Sequence, residues 1–265
     1  MLFVVARDIV GCQGTKVQKE VTLMARRDDP ADINTRVGGY DWTSISAHLD
    51  ANGWATLPKL LTAGEARDLA GLYDAAQHFR SHVVMARHGF GRGEYKYFAY
   101  PLPAVVAELR TALYPRLVPV ANRWNESMEI DTRYPDAHAD FLEKCHDAGQ
   151  TRPTPLLLQY GEGDFNALHQ DVYGEQVFPL QAAILLSAPR EDFTGGEFVL
   201  TEQRPRMQSR VEVVPLERGD GVIWAVRHRP VQGTRGTYRV NMRHGVSRLR
   251  SGHRHTLGVI FHDAA

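Results

Sequence analysis

The residues whose types and spacing first suggest chemistry are His169 and Asp171, followed at a distance by His244 and Arg254. A β-strand directs residues i and i+2 to the same face, so His169 and Asp171 are predicted to face one metal ion. With His244 they would supply two imidazoles and one carboxylate, a ligand set for Fe(II) that leaves coordination positions open. Arg254 would add a permanent positive charge for an acidic co-substrate beside the metal.

Three His-x-Asp triplets occur among the 12 histidines of the chain, and only their surroundings separate them. Residues 48–50 and 138–140 lie in helix-like segments, and two positions along an α-helix diverge by roughly 200°. The triplet at 169–171 instead follows an apolar, strand-like run at 155–160 and a turn-rich link at 161–164. We therefore expect the metal site at the third triplet, at the end of a β-sheet.

The overall charge of the chain indicates no general affinity for nucleic acid or membranes. The 31 basic and 31 acidic residues give a net charge of zero, so no global field favours either partner. Residues 204–254 nevertheless hold 12 arginines, no lysine and three acids. This segment is either a solvated sheet face or an arginine-lined mouth for an acidic substrate.

Cysteine usage and hydropathy predict a cytoplasmic protein. Cys12 and Cys145 are too few for a disulfide framework or a zinc site. No apolar run approaches the ~18 residues of a membrane span. Arg7 and Asp8 interrupt the apolar start too early for a signal peptide.

The N-terminal half is predicted to be helical. Residues 1–37 are weakly patterned, and we expect a flexible arm or an over-extended start there. The domain proper is expected at residues 38–265. Its predicted helices lie at 42–51, 62–77, 103–125 and 136–147. Thr62 and Glu65 have the spacing of a capping box at the start of the second helix. Two prolines are expected to break or kink the third helix. Strands around a glycine-rich turn are expected within residues 82–100.

The C-terminal half is predicted to be a β-structure. Short strand-like runs punctuated by Gly and Pro recur after residue 150 and favour a sandwich or jelly roll. They cover residues 155–160, 178–187, 197–201, 211–216, 221–226, 237–241 and 256–262. The fold class is therefore α+β: an N-terminal helical layer on a double-stranded β-helix (jelly roll, cupin-like), with its core at about residues 154–262.

Four segments resemble the Fe(II)/2-oxoglutarate-dependent dioxygenase superfamily, in particular its prolyl-4-hydroxylase-like branch. They are LQYGEG at 158–163, GGEFVL at 195–200, GDGVIW at 219–224 and HGVSRLRSGHR at 244–254. The chain is also similar to a subgroup of bacterial 2-oxoglutarate oxygenases described as acting on damaged DNA. RVNMRHGVS at 239–247 and GVIFHD at 258–263 carry that similarity.

The resemblance implies Fe(II), 2-oxoglutarate and O2, with hydroxylation of a substrate C–H bond and release of succinate and CO2. His169, Asp171 and His244 would bind the iron. Arg254 would bind the distal carboxylate of 2-oxoglutarate in bidentate fashion, with hydroxyl groups of Thr256 and Tyr160 as further hydrogen-bonding partners.

Several alternatives remain open at this level. His228 competes with His244 as the distal ligand, but the residue ten positions after His228 is Tyr238, whereas the residue ten positions after His244 is Arg254. The substrate class is a small molecule, a peptide side chain or a nucleic acid. An oxidative demethylase of alkylated nucleic acid and a non-catalytic module that binds metal or a 2-oxo acid are the alternative functions. No sequence feature indicates an oligomeric state.

Overall fold

The computed structural model describes residues 32–172, 174–234 and 236–265. The expected arm therefore lies largely outside the described residues, but its last part belongs to a helix, α1 (Ile33–Gly38). Ile33 and Val37 are buried because they pack into the main hydrophobic core. The folded domain thus starts before residue 38, the boundary that we expected from the weak patterning of this segment.

Four longer helices follow in the described residues: α2 (Trp42–Asn52), α3 (Ala63–Gly71), α4 (Ala104–Ser127) and α5 (His138–Asp147). The Asp41 carboxylate caps α2 by accepting from the backbone N–H groups of Thr43 and Ser44. Gly53 ends α2 with a φ of 78°, in the left-handed region that favours glycine. The predicted start and stop of this helix are both confirmed.

One helix prediction was wrong in part, and for a second helix the structure excludes a break. Thr62 and Glu65 do form the capping box of α3, but α3 ends at Gly71, and short 3-10 turns replace the remainder of the predicted helix. α4 is one continuous helix although it contains Pro115 and Pro119. The long buried face of α4, which packs into the main core, offsets the backbone hydrogen bonds that the two prolines cannot make.

The strands in the described residues are β1 (Trp54–Leu57), β2 (Phe79–Val84), β3 (Gly91–Arg92), β4 (Glu94–Phe98), β5 (Leu156–Tyr160), β6 (Phe165–His169), β7 (Leu180–Leu185), β8 (Phe193–Gly195), β9 (Phe198–Gln203), β10 (Ser209–Val214), β11 (Gly221–Ala225), β12 (His228–Gly233), β13 (Gly236–Val246), β14 (Leu249–Gly252) and β15 (Arg254–Val259). The predicted β-rich C-terminal half is confirmed. Four strands were missed: β6, β8, β12 and β14. β6 and β12 show no clear alternation of burial, which is the signal that strand prediction needs, and β8 and β14 are only three and four residues long.

Two large antiparallel sheets and the two-stranded sheet of β8 and β14 build the described part of the domain. The larger sheet has the strand order β1-β11-β7-β15-β5-β4-β2, and the smaller one the order β10-β9-β13-β6-β3, with β12 also paired to β13. One face of the larger sheet shares the main core with the helices. The other face meets the smaller sheet across two smaller apolar clusters and a cavity. The helical layer therefore supports the larger sheet, and the cavity lies between the sheets.

None of the helices in the described residues could span a membrane. Even α4, the longest of them, does not combine the length and the apolar character that a membrane span requires.

Candidate active site

The ends of two paired strands bring His169, Asp171 and His244 together. His169 is the last residue of β6 and lies directly opposite His244 of β13, with 4.2 Å between the ring centroids. Asp171, two residues beyond the strand end, has Oδ1 3.4 Å from His169 Nε2 and Oδ2 3.5 Å from His244 Nε2. Each residue thus offers one ligand atom within 4.8 Å of the other two.

The protonation states of Asp171 and His244 suit a metal. Burial opposes charge on Asp171, but the hydrogen bond and charge of His169 and the charge of His244 keep the pKa of Asp171 below its ordinary value. Burial, together with the charge of His169, lowers the pKa of His244 to about 3. Asp171 is therefore a carboxylate and His244 a neutral imidazole at neutral pH.

His169 is oriented by its backbone neighbour. Its Nδ1 lies 2.8 Å from the carbonyl oxygen of Ala167, so Nδ1 donates to that oxygen and Nε2 is the ring nitrogen that faces Asp171 and would bind a metal. Two imidazole nitrogens and one carboxylate oxygen on one side of a cavity fit Fe(II), which takes this donor set and keeps positions open for other ligands.

The competing histidines lie elsewhere. His48 and its triplet are inside α2, where His48 Nδ1 contacts the carbonyl oxygen of Trp54. His138 begins α5 and bonds the carbonyl oxygen of Phe261. His228 lies opposite Asn241 on β12 and does not join the metal-binding cluster found among the described residues. The helical argument against the first two triplets is confirmed.

Arg254 is a buried cation without a carboxylate at contact distance. It is 2 % exposed, and its Nη1 donates to Thr256 Oγ1 at 2.6 Å. Its Nε has no hydrogen-bond partner, and it forms no salt bridge within the described ranges, since Glu197 acts on it only from beyond that distance. Burial lowers the pKa of Arg254 to about 10, so the guanidinium stays protonated at neutral pH.

Tyr160 lies directly opposite Arg254 in the β5–β15 pair, and its ring centroid is 5.7 Å from Arg254 Cζ. Its buried hydroxyl has no hydrogen bond of normal geometry in the part of the chain that the structure describes. Burial raises the pKa of Tyr160 to about 12, although Arg254 and the Asn166 side chain lower it. The hydroxyl therefore remains a donor beside Arg254.

The close packing around Arg254 requires glycine at one position. Gly196 has a φ of 64°, and a Cβ added there would lie 2.4 Å from Leu249 Cδ1 and 3.1 Å from Arg254 Cδ. The glycine pair in GGEFVL is thus a structural turn that leaves room for the arginine side chain.

All six predicted site residues line one cavity of about 410 Å³. Prediction from the sequence missed a group of aromatic and amide side chains that share this cavity. They are Phe90, Tyr95, Tyr97, Asn166, Gln181, Phe198 and Trp224. They come from five different strands and one loop, and their spacing along the chain carries no signal that would group them.

A protein-family comparison decides the class of this site. Residues 93–264 match the model of Oxygenase-NA, described as an oxygenase catalysing oxidative methylation of damaged DNA. The chain belongs to the Oxygenase-NA family. The matched residues contain the whole His169–Asp171–His244 cluster and Arg254, so the site lies within the family's domain.

A bacterial relative extends the same similarity. The chain is 52% identical over 168 residues to the uncharacterized protein Rv2227 of Mycobacterium tuberculosis (strain ATCC 25618 / H37Rv), covering 63% of this chain and 72% of that protein. The similarity links two members of one family and assigns no substrate to either.

Solved structures show which fold this Oxygenase-NA member has. An oxidoreductase of the 2OG-Fe(II) oxygenase family from Burkholderia pseudomallei is similar over 86% of this chain and 93% of its own, with a TM-score of 0.50 and 15% identity. A prolyl hydroxylase from Trichoplax adhaerens, in complex with a hypoxia inducible factor peptide fragment, is similar over 86% of this chain and 90% of its own. Its TM-score is 0.50 and its sequence identity is 15%. The fold is thus that of 2OG-Fe(II) oxygenases, a jelly roll, as expected.

Family membership makes this Oxygenase-NA member an oxygenase, and thus an oxidoreductase. Its fold is that of 2OG-Fe(II) oxygenases, a prolyl hydroxylase among them, as the sequence resemblance implies. Iron and 2-oxoglutarate are the cofactor and co-substrate of this class, and His169, Asp171 and His244 are the candidate iron site.

Proposed function

We propose that this protein is an Fe(II)- and 2-oxoglutarate-dependent dioxygenase that hydroxylates a C–H bond of an unidentified prime substrate. The observation that carries the proposal is the buried guanidinium of Arg254, which has no carboxylate within salt-bridge distance among the described residues and shares a cavity with the His169–Asp171–His244 cluster. An uncompensated buried charge costs several kcal/mol. A dicarboxylate that reaches from the metal to Arg254 offsets this cost.

Three side chains would hold the distal carboxylate of 2-oxoglutarate. Arg254 offers the planar fork of donors that binds a carboxylate in bidentate fashion. Thr256 Oγ1 accepts from Arg254 Nη1, so its own proton is free for the ligand. The buried Tyr160 hydroxyl adds a third donor from the neighbouring strand.

The iron would be held by Nε2 of His169, Nε2 of His244 and a carboxylate oxygen of Asp171. Bound iron would supply the activation of O2, coupled to oxidative decarboxylation of 2-oxoglutarate to succinate and CO2. Aromatic and aliphatic side chains make up much of the cavity lining. A low-dielectric cavity of this kind limits side reactions with water.

Anaerobic reconstitution tests the proposal. Adding Fe(II) and then 2-oxoglutarate should produce the visible absorption band of the iron–2-oxo-acid chelate, and O2 should then yield succinate. Arg250→Ala serves as a control, because Arg250 is an exposed arginine of β14. A folded protein that gives neither band nor succinate would contradict the function.

Oxidative demethylation of alkylated nucleic acid is the second candidate function. It is favoured by the description of the family and by Phe90, which lines the cavity, is 47% exposed and stacks on the His88 ring at 5.3 Å. Flat exposed rings at a cavity mouth suit stacking on a base. Against it, residues 248–254 lack the asparagine found after the distal histidine in AlkB-type demethylases.

Release of formaldehyde from a methylated oligonucleotide, with salt-dependent binding, would support this second function. Phe90→Ser should weaken binding, whereas Val213→Ser, at a similarly exposed residue of β10, should not. DNA binding that is absent even at low salt would remove this candidate and leave the dioxygenase proposal intact. We further propose the cytoplasm as the compartment, on the sequence features given above.

A further inference from the structure

Two buried N–H donors in the cavity have no use in the chemistry proposed so far. Gln181 is 2% exposed and Trp224 is 4% exposed. Gln181 Nε2 and Trp224 Nε1 have no hydrogen-bond partner of normal geometry within the described residues. A buried donor left unpaired costs about 1–3 kcal/mol, so two of them side by side indicate a ligand that accepts from both.

The sheet places these donors next to each other. Gln181 of β7 lies directly opposite Trp224 of β11, and directly opposed residues of an antiparallel pair share a face. Both line the cavity. The Trp224 ring is 4.9 Å from the His244 ring, so the donors lie beside the candidate iron site.

Gln181 and Trp224 lie away from Arg254 and Thr256, which would bind the distal carboxylate of 2-oxoglutarate. Thr256 lies opposite Leu185, and Gln181 precedes Leu185 by four residues of β7, or about 13 Å of strand. The five-carbon chain of 2-oxoglutarate spans only about 5 Å between its carboxyl carbons, given four C–C bonds of ordinary length. The distal carboxylate at Arg254 is therefore too far from Gln181 to accept from it, and only the end of the co-substrate that binds the iron competes for the two donors.

The chemistry of the donors specifies the group that they bind. An indole N–H and a carboxamide N–H are neutral donors, and the Gln181 amide also interacts with the Asp171 carboxylate. Neither donor supplies a positive charge that would hold an anion. A neutral carbonyl oxygen meets both requirements, since it accepts two hydrogen bonds and carries no net charge.

We propose that Gln181 and Trp224 form a carbonyl-binding subsite that positions the prime substrate through an amide or lactam oxygen beside the iron. The subsite rests on the proposed function for its role in turnover, but carbonyl binding can be measured without turnover. The carboxamide of Gln181 has two N–H groups, so it can serve Asp171 and a ligand at once. Trp224 has one donor and no such second partner.

The test uses the indole N–H resonances of the full chain, loaded with Zn(II) in place of Fe(II) and with 2-oxoglutarate present. The chain has four tryptophans, which single Trp→Phe variants assign. Trp54 is the matched control, because its buried Nε1 is also unpaired among the described residues but does not line the cavity. The probes are N-methylacetamide for a peptide amide, 1-methyluracil for a nucleobase lactam, and acetate for an anion.

The expected result is a saturable downfield shift of the Trp224 N–H with one of the two neutral probes, no shift of Trp54, and weaker binding of acetate. The probe that binds more tightly identifies the source of the carbonyl. Gln181→Met, which keeps the length but removes the donors, should raise the dissociation constant up to about tenfold.

Equal shifts at Trp54 and Trp224, or none at Trp224, would overturn the subsite. So would a Trp224 shift caused by 2-oxoglutarate alone that blocks both neutral probes, because the donors would then belong to the co-substrate. The absorption band of the iron chelate, recorded on the same preparation, reports separately on the proposed function. Its absence would contradict that function and leave the probe result to decide the subsite.

Discussion

Arg254 Nη1 donates to Thr256 Oγ1 at 2.6 Å, two residues along the same face of β15. The hydrogen bond holds one edge of a buried guanidinium in place and leaves Nε unpaired within the described residues. A cation held in this way is pre-organised for a carboxylate, because little side-chain freedom remains to be lost when the ligand binds.

Replacing Arg254 should weaken 2-oxoglutarate binding strongly. For Arg254→Ala we expect the KM for 2-oxoglutarate to rise about 100-fold, since truncating one partner of a buried charge pair costs about 3 kcal/mol. The KM of Arg254→Lys should lie between those of the wild type and Arg254→Ala, because lysine keeps the charge but loses the planar guanidinium. The measurement is succinate formation as a function of 2-oxoglutarate concentration. Arg250→Ala, at an exposed arginine, is the control and should leave the KM unchanged. An unchanged KM for Arg254→Ala would mean that another cation holds the carboxylate.

Thr256→Val should have a smaller effect on the same parameter. It preserves the side-chain shape but removes the hydroxyl, so Arg254 loses a partner and the ligand loses a donor. We expect the KM for 2-oxoglutarate to rise about fivefold, in line with one neutral hydrogen bond. Thr237→Val, at an exposed threonine of β13, is the matched control. A Thr256 variant that behaves like the Thr237 variant would exclude a role in co-substrate binding.

Asp171→Ala should abolish iron-dependent turnover while the fold persists. Asp171 is the one carboxylate between the two imidazoles, and its loss leaves two neutral ligands for a divalent ion. We expect turnover to fall at least about 100-fold, more than for residues that only support a ligand. Iron content and succinate formation are measured, with circular dichroism to check folding. Asp140→Ala, in the helical triplet of α5, should match the wild type, and persistent activity in Asp171→Ala would remove the carboxylate from the ligand set.

His138 should make the fold sensitive to acid. Burial lowers the pKa of His138 from 6.5 to about 4, although the hydrogen bond to the Phe261 carbonyl opposes this. Between these two values the unfolded chain binds a proton that the folded chain does not, so the free energy of unfolding decreases as the pH falls. The contribution reaches about 3 kcal/mol near the folded pKa. Chemical denaturation at several pH values measures it.

A matched variant isolates that effect from other acid-sensitive groups. The buried Arg110–Asp263 ion pair also weakens in acid, because Arg110 and His146 keep the pKa of Asp263 below its ordinary value. His138→Gln can keep a donor for Phe261 without a titrating ring. We expect its unfolding free energy to fall less steeply between pH 6.5 and about 4. Identical slopes for the variant and the wild type would assign the acid sensitivity to groups other than His138.

The local part of the fold could be predicted because its causes are local. Asp41 and Gly53 bound α2 through capping and a left-handed turn, and Thr62 with Glu65 caps α3. The helical positions of His48 and His138 followed from apolar periodicity. β6 was missed, although it carries His169, because its residues are all partly exposed and show no alternation. Its pairing with β13 is a long-range contact, which no window of sequence reports.

By itself, the sequence determined the candidate ligands and the co-substrate anchor: His169, Asp171, His244 and Arg254 have side chains whose chemistry and order along the chain are specific to this class. Only the tertiary structure decided what surrounds them. Gln181 and Trp224 are 43 residues apart and face each other because β7 pairs with β11. Whether a donor is buried and unpaired depends on strands that are distant in the chain, so the carbonyl-binding subsite could be inferred only after the sheets had been assembled.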